Sequence, residues 1–572
     1  MSSRLYEYLE ITDLKDMLKK SGEKYADKIA YKIKKEDGTY KNISHKHVRE
    51  MINSLGTSLI DMGLKNKKIA VIGENRYEWE IAYLSIVCGT GIVVPLDKSL
   101  PENELRTLIE RSGVEAIFFS KKYETVLKAI KCEGIGKLKH LISMDLQEHK
   151  EGIYSELELI KKGKKLIEKG NNEFINAKID NTSMSIMLFT SGTTSASKIV
   201  ALSHKNICSN LMDIASVLDV NCDDIFLSFL PLHHVFECTV GFLFSLYSGA
   251  QTVFCDGIRH IVENMKEYKV SVMASVPAIY ERIFKIIRKQ IEKNGKLNEI
   301  LEKEEKYKNA SMEERKKAFK EIHNMLGGNV KIMISGAASL DREIENKFRL
   351  LGLNLVQGYG LTETSPVVAI GNKKYYKVGS IGKTVPSVET RLVNIDKTGM
   401  GELIVKGPSI MLEYYENKKA TKDAIVDGWF YTGDLARIDE EGYIFICGRK
   451  KSVIVLKNGK NIFPEEMENL VNRIEGVEES FIFGNQMSED KNDIKIFVKV
   501  VYNEEIAENV YKVKGEANIY KAINERIKEI NASMPKYKAI RGLILTKEPL
   551  IKTTTNKIKR EKNLEVIEKG LK

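Results

Sequence analysis

Met187-Leu188-Phe189-Thr190-Ser191-Gly192-Thr193-Thr194-Ser195-Ala196-Ser197-Lys198 sets an apolar run against an abrupt series of hydroxyls, one glycine and a lysine. That composition predicts a strand followed by a loop able to wrap a polyphosphate. Small residues let backbone N–H groups reach phosphate oxygens, hydroxyls add donors, and Lys198 adds a point charge. The common nucleotide loop ends in Gly-Lys-Ser/Thr, with its hydroxyl on magnesium; Ser197-Lys198-Ile199 stands here instead. Taken alone, the stretch also reads as a polar loop after a buried strand. Its neighbours decide the fold, and three later segments decide the ligand.

Working outward, apolar runs alternate with helical patterns. Lys68–Gly73, Ile92–Leu96 and Ala116–Phe119 read as strands, with helices over Tyr77–Val87 and Glu102–Ser112 between them. The alternation continues through Ile225–Leu230, Gln251–Cys255 and Val272–Val276 to about residue 370. This is an α/β pattern of parallel sheets with helix-covered faces. A chain of 572 residues exceeds the roughly 250–300 that one core supports. We expect a large domain over 1–449, with a helical insertion at about 283–326 and a β-rich part at about 376–447, then a smaller α+β domain over 450–572. The polar break Gly448-Arg449-Lys450-Lys451-Ser452 marks the boundary. In the insertion, Ile283, Ile287 and Ile291 mark one face, which fits a solvated helical pair or a basic amphipathic face touching lipid.

Hydrophobic content of 43% with 30% charged residues describes a folded chain, not a disordered one. The net charge of +11 is diluted over the length, and no nucleic-acid motif accompanies it, so a nucleic-acid partner is not expected. Seven cysteines, at 88, 132, 208, 222, 238, 255 and 447, are odd in number and form no C-x-x-C pair, which argues against a disulfide framework or a zinc site. The opening Met1-Ser2-Ser3-Arg4-Leu5 lacks the build of a signal peptide. The greasiest stretch, Val235–Ala250, carries Glu237 and Gly241 and falls short of the roughly 18–20 residues of a span; a buried helix fits it. A cytoplasmic location is expected, with peripheral contact at the inner membrane surface as the extension. Oligomeric state has no signal here.

Three segments ask for the ligand of the first. In Gln357-Gly358-Tyr359-Gly360-Leu361-Thr362-Glu363, glycines flank a ring that an adenine could face, and Glu363 beside Thr362 suits Mg²⁺. A glycine-rich turn with a capping threonine is the other reading. In Thr432-Gly433-Asp434, the carboxylate suits a ribose diol, with Arg449 fifteen residues on to serve the same sugar or to pin the domain break. An Asx turn would explain Asp434 equally well. Finally, Lys552-Thr553-Thr554-Thr555-Asn556-Lys557 places lysines on a short hydroxyl-rich loop that would ordinarily be solvated surface.

In this order the four segments resemble the adenylate-forming superfamily of acyl-CoA synthetases, peptide-synthetase adenylation domains and luciferases. The resemblance runs through the phosphate loop (Thr190 to Lys198), the tyrosine–glycine–x–threonine–glutamate element (Tyr359 to Glu363), the ribose and hinge elements (Thr432–Asp434, Gly448-Arg449) and the C-terminal lysine loop. Ser195, Ser197 and Ile199 depart from the usual glycine, proline and glycine, and Asn556 replaces a frequent glycine.

The resemblance implies attack of a carboxylate on ATP to give acyl-AMP and pyrophosphate, then transfer to coenzyme A. It implies Lys557, Thr190 and Glu363 as catalytic residues, with Mg²⁺ on Glu363 and Thr190. Nucleotide contacts fall to Thr190, Ser191, Gly192, Thr193, Thr194, Lys198, Gly336, Ala337, Gln357, Gly358, Tyr359, Gly360, Thr362, Asp434, Arg449 and Lys557. Leu230-Pro231-Leu232-His233-His234-Val235-Phe236-Glu237 resembles the segment whose histidine, His234 here, borders the acyl pocket; either histidine also reads as a satisfied core residue. Gly336 and Ala337 would line that pocket, leaving room for a chain. Lys451 matches the pivot of the small domain, and Gly459 the passage for pantetheine. The helical insertion and the run from 448 to 466 resemble long-chain fatty acid–CoA ligases. The rival readings are another acid, a carrier-protein acceptor, a kinase-like transferase, or a nucleotide-binding regulator without catalysis.

Overall fold

A computed structural model describes residues 3–190, 198–456, 460–486, 494–553 and 558–571. Among them, two large sheets dominate. An eight-stranded sheet has the strands beginning at Glu413, Lys198, Met184, Gly91, Lys67, Ala116, His140 and Ile153 side by side in that order. A nine-stranded sheet runs through those beginning at Lys383, Val367, Leu355, Ile332, Val272, Ile225, Gln251, Ile29 and Tyr40. The central pairings of both are parallel, as between Lys67–Ile72 and Gly91–Pro95, or Val272–Ser275 and Ile332–Ser335. Both edges of the nine-stranded sheet and the Glu413 edge of the eight-stranded sheet are antiparallel, whereas its Ile153 edge stays parallel. The stretch that opened the sequence analysis is one such departure, because Met184–Thr190 turns back on Lys198–Ser203 as an antiparallel hairpin.

Side-chain alternation along each strand feeds different cores. Ile69, Val71, Val93, Ile186 and Leu188 from the first sheet share one core with Val272, Ala274, Ile332, Ile334 and Val356 from the second. The intervening residues face outward into separate cores: Ala70, Ile72 and Met187 on one side, Met273, Met333 and Leu355 on the other. Helices His45–Asp61, Tyr77–Ser85 and His204–Val217 supply Leu55, Leu59, Trp79, Tyr83, Ile207 and Leu211 to the shared core. Each sheet is thus buried on both faces, which is why its strands read as continuous apolar runs.

The expected helix over Val235–Ala250 is buried as predicted but wider than an α-helix: Glu237–Leu243 is a π-helical turn leading into the α-helical turn Phe244–Tyr247. The helical insertion begins earlier than expected, at Pro277, and comprises four helices ending at Met325. A five-stranded, mainly antiparallel sheet follows, built from strands between Glu389 and Arg449. The C-terminal part has a three-stranded sheet of Val477–Gln486, Ile494–Tyr502 and Ile540–Thr546, and a core of its own around Met467, Val498, Ile519 and Ile523. No described helix is long and apolar enough to cross a membrane.

Candidate active site

Parallel sheets expose polar groups at the carboxyl ends of their strands, where connecting loops leave a crevice. Here those ends meet. Asn75, just past Lys67–Ile72 of the first sheet, donates its amide to Ser228 Oγ at 2.9 Å and to the Leu230 carbonyl at 2.7 Å, at the end of a strand of the second.

Thr190 ends its strand with its hydroxyl donating to the Lys198 carbonyl at 3.3 Å, and the two residues are cross-strand partners at the hairpin mouth. The Lys198 ammonium lies 4.0 Å from the centre of the Tyr414 ring. Tyr414 donates its hydroxyl to Glu363 Oε1 at 2.8 Å. Burial, reinforced by the Glu363 carboxylate, pushes the Tyr414 phenol well above its ordinary value, so it stays protonated and donating. The Glu363 carbonyl also accepts from Met411 N–H at 2.8 Å. Lys198 and Glu363, predicted from two distant segments, are thereby linked through one tyrosine, and Thr190 joins them through the Lys198 carbonyl. Nothing in the sequence separated Tyr414 from the adjacent Tyr415.

Tyr359 and Asp434, predicted for adenine and ribose, touch each other. The Tyr359 hydroxyl donates to Asp434 Oδ2 at 2.5 Å, and Arg449 Nε lies 2.8 Å from Asp434 Oδ1. Burial first, then the Asp434 carboxylate, raises the Tyr359 phenol and keeps it a donor. Asp434 sits mid-strand in Trp429–Ile438, in register with Arg449. The Asx-turn reading therefore does not hold. Gly360 must be glycine: a Cβ there would stand 1.7 Å from the Pro366 carbonyl oxygen. Gly358 has no such constraint, since its nearest neighbours would be 3.6 Å away. Gln357 is buried and its amide is engaged with Glu345 Oε2 at 2.9 Å. Thr362 opens a single 3₁₀ turn ending at Thr364, which places Glu363 toward Tyr414.

Gly336 follows the strand Ile332–Ser335, and a Cβ there would meet Phe236 Cζ at 2.9 Å. Ala337 holds a left-handed backbone, φ 67°, which costs a residue with a side chain roughly 1–2 kcal/mol. His234 packs against His233, ring centres 3.9 Å apart, and His233 Nε2 lies 3.4 Å from Asp97 Oδ2. Lys451 is exposed in a one-turn 3₁₀ segment directly after the strand Ile444–Arg449. Ser191, Gly192, Thr193, Thr194, Gly459 and Lys557 lie outside the described residues.

The model of the AMP-binding enzyme family matches residues 18–415, and that of the AMP-binding enzyme C-terminal domain matches 451–570. The chain belongs to the AMP-binding enzyme family. Among curated members, this AMP-binding enzyme is similar to fatty acyl-CoA synthetase B of Dictyostelium discoideum, 30% identical over 513 residues, covering 83% of this chain and 75% of that protein. It is also similar to long chain acyl-CoA synthetase 3 of Arabidopsis thaliana, 27% identical over 487 residues, covering 78% and 72%. The AMP-binding fold is that of the anthranilate CoA ligase AuaEII, solved with anthranoyl-AMP: TM-score 0.75 at 18% identity, with 98% of each chain covered.

Proposed function

We propose that this enzyme activates a long-chain fatty acid with ATP and passes the acyl group to coenzyme A. The observation that carries the reading is the convergence of Lys198 and Glu363 on Tyr414, with Thr190 bonded to the Lys198 carbonyl, and Tyr359, Asp434 and Arg449 joined as a second cluster. The names of the two curated relatives support a fatty acid and a thiol acceptor.

In the first step a carboxylate oxygen attacks the α-phosphorus, and the bond to the bridging oxygen breaks to release pyrophosphate. In the second, the coenzyme A sulfur attacks the acyl carbon, and AMP leaves with the carbon–oxygen bond pair. Lys198 and the hairpin-loop hydroxyls hold the polyphosphate, while Lys557 meets charge growing on the bridging oxygen. Such preorganised donors stabilise charge that appears only in the transition state. Asp434, oriented by Tyr359 and Arg449, accepts from the ribose hydroxyls.

The donors present fit magnesium: a carboxylate and a hydroxyl are hard oxygens, and Tyr414 fixes the Glu363 carboxylate through one oxygen. Glu363 and Thr190 would hold the ion, which when bound supplies neutralisation of phosphate charge. His234 borders the acyl pocket, with Gly336 and Ala337 keeping its wall small. The large domain ends at 449, and the unit 450–572 reorients about Lys451 between steps, bringing Gly459 to the thiol's path.

Pyrophosphate release over carboxylic acids of graded length, with and without coenzyme A, tests the proposal. Release favouring long chains, with acyl-CoA formed only when coenzyme A is present, is expected. Formation of ADP, or a preference for short or aryl acids, would overturn it.

A further inference from the structure

Two imidazoles and a carboxylate converge where the carboxyl ends of the two large sheets meet. Asp97 lies two residues beyond the strand Gly91–Pro95 of the eight-stranded sheet. His233 and His234 lie in the turn after Ile225–Ser228 of the nine-stranded sheet. One ligand atom from each of the three lies within 4.8 Å of the other two.

The spacing is informative. His233 Nε2 stands 3.4 Å from Asp97 Oδ2, and this buried nitrogen makes no hydrogen bond among the described residues. For an N–H···O bond the distance is long, the usual range being about 2.7–3.2 Å. For two ligands of one tetrahedral zinc, each about 2.0–2.2 Å from the ion, geometry puts the ligand atoms about 3.3–3.6 Å apart. Side-chain exposure of only 9% for His233 and 11% for Asp97 means that water competes weakly for these atoms.

The donor set selects the metal. Magnesium and calcium take oxygen ligands, whereas two imidazoles with one carboxylate suit zinc. Three protein ligands also leave a fourth position open, unlike the closed sites of structural zinc.

We propose that Asp97, His233 and His234 bind one zinc ion, whose open position takes the carboxylate of the acid and thereby inhibits adenylation. The inhibitory half rests on the proposed function, because it needs His234 beside the acyl pocket. The binding half does not.

The full chain and its His233→Asn and Asp97→Asn variants are dialysed against zinc chloride and their bound metal measured, with circular dichroism confirming that each variant is folded. One zinc per wild-type chain, lost in both variants, is expected. Cobalt(II) in place of zinc separates the site from the exposed Cys132: tetrahedral nitrogen–oxygen ligation gives visible absorption without the near-ultraviolet thiolate band. Pyrophosphate release is then compared with and without zinc for each protein. At least a tenfold drop, reversed by a chelator, is expected for wild type, and a ratio near one for His233→Asn. Equal zinc content in wild type and both folded variants, or thiolate-ligated cobalt alone, overturns the site. Site-specific binding with no inhibition overturns the competition with the acid. A chain that retains one zinc but releases no pyrophosphate under any condition overturns the proposed function and leaves the zinc site standing.

Discussion

Asp434 is held by partners that do different jobs. The Tyr359 hydroxyl and the Arg449 guanidinium occupy separate oxygens at 2.5 and 2.8 Å, and the residue is only 3% exposed. A carboxylate so clamped would present a fixed edge to the sugar of the proposed nucleotide. Asp434→Asn keeps the size but loses the charge, and hydrogen bonds to charged groups contribute about 1.5–3 kcal/mol. We expect KM for ATP to rise about tenfold or more with KM for the acid unchanged, as read from initial rates of pyrophosphate release. Lys557→Ala should slow acyl-AMP formation about 10²–10³-fold, by analogy with loss of a single oxyanion donor, while thioester formation from supplied acyl-AMP persists. Equal loss in both half-reactions would remove Lys557 from the first step. Asp434 was legible because Thr432 and Gly433 precede its carboxylate in an otherwise largely apolar run, although the structure keeps all three within one strand. Tyr414 was not, because its part comes from pairing with Val200 in a distant strand, a contact no local pattern announces.

At the scale of elements, strand positions were legible because burial on both faces leaves unbroken apolar runs. The register of the turn at 237–243 was not. Its widened form brings the Glu237 carboxyl over Gly241, where a Cβ would stand 2.6–2.8 Å from the carboxyl atoms. The closing helix Arg560–Leu571 also escaped notice, its few apolar positions hidden among charges that read as surface loop. Burial pushes the Glu237 carboxyl from 4.5 up to about 8, against the opposing hydrogen bond from Ser228 at 2.7 Å. The folded chain therefore keeps a proton that the unfolded chain releases above about pH 4.5. Its contribution to stability is complete below that pH, and is lost as pH rises through about 8. Between pH 5 and 8.5 the Tm of the wild type should fall more steeply than that of Glu237→Gln, measured by thermal melts. Parallel slopes would show that Glu237 does not titrate in this window. Glu80, also buried and raised by burial, leaves a residual slope in both proteins.

For the whole molecule, the alternation of strands and helices was legible, but not the division into two sheets. Parallel strands buried on both faces look alike whichever sheet they join, so the shared layer of helices emerged only from packing. Arg473 of the C-terminal part reaches the start of the helix Arg342–Leu350, meeting Asp341 through two nitrogens at 2.6 and 2.7 Å, and Glu343 at 2.9 Å. Arg473 is 42% exposed, and such pairs contribute about 0.2–1 kcal/mol. A contact that weak would restrain the proposed reorientation about Lys451 without forbidding it. Arg473→Ala should raise tryptic cleavage at Lys450–Lys451 about 1.5–5-fold, the factor that energy corresponds to. An unchanged cleavage rate would detach this contact from the proposed motion.

Met411 and Tyr414 hold both the carbonyl and the carboxylate of Glu363, and Tyr414 also closes the edge of a sheet whose first strand starts at Lys67. A ribosome has therefore synthesised most of this protein before that acidic group has anything to settle against. Under the proposed function, catalytic competence arrives late in translation, and shortened products ending before Tyr414 are born with an unstitched sheet margin.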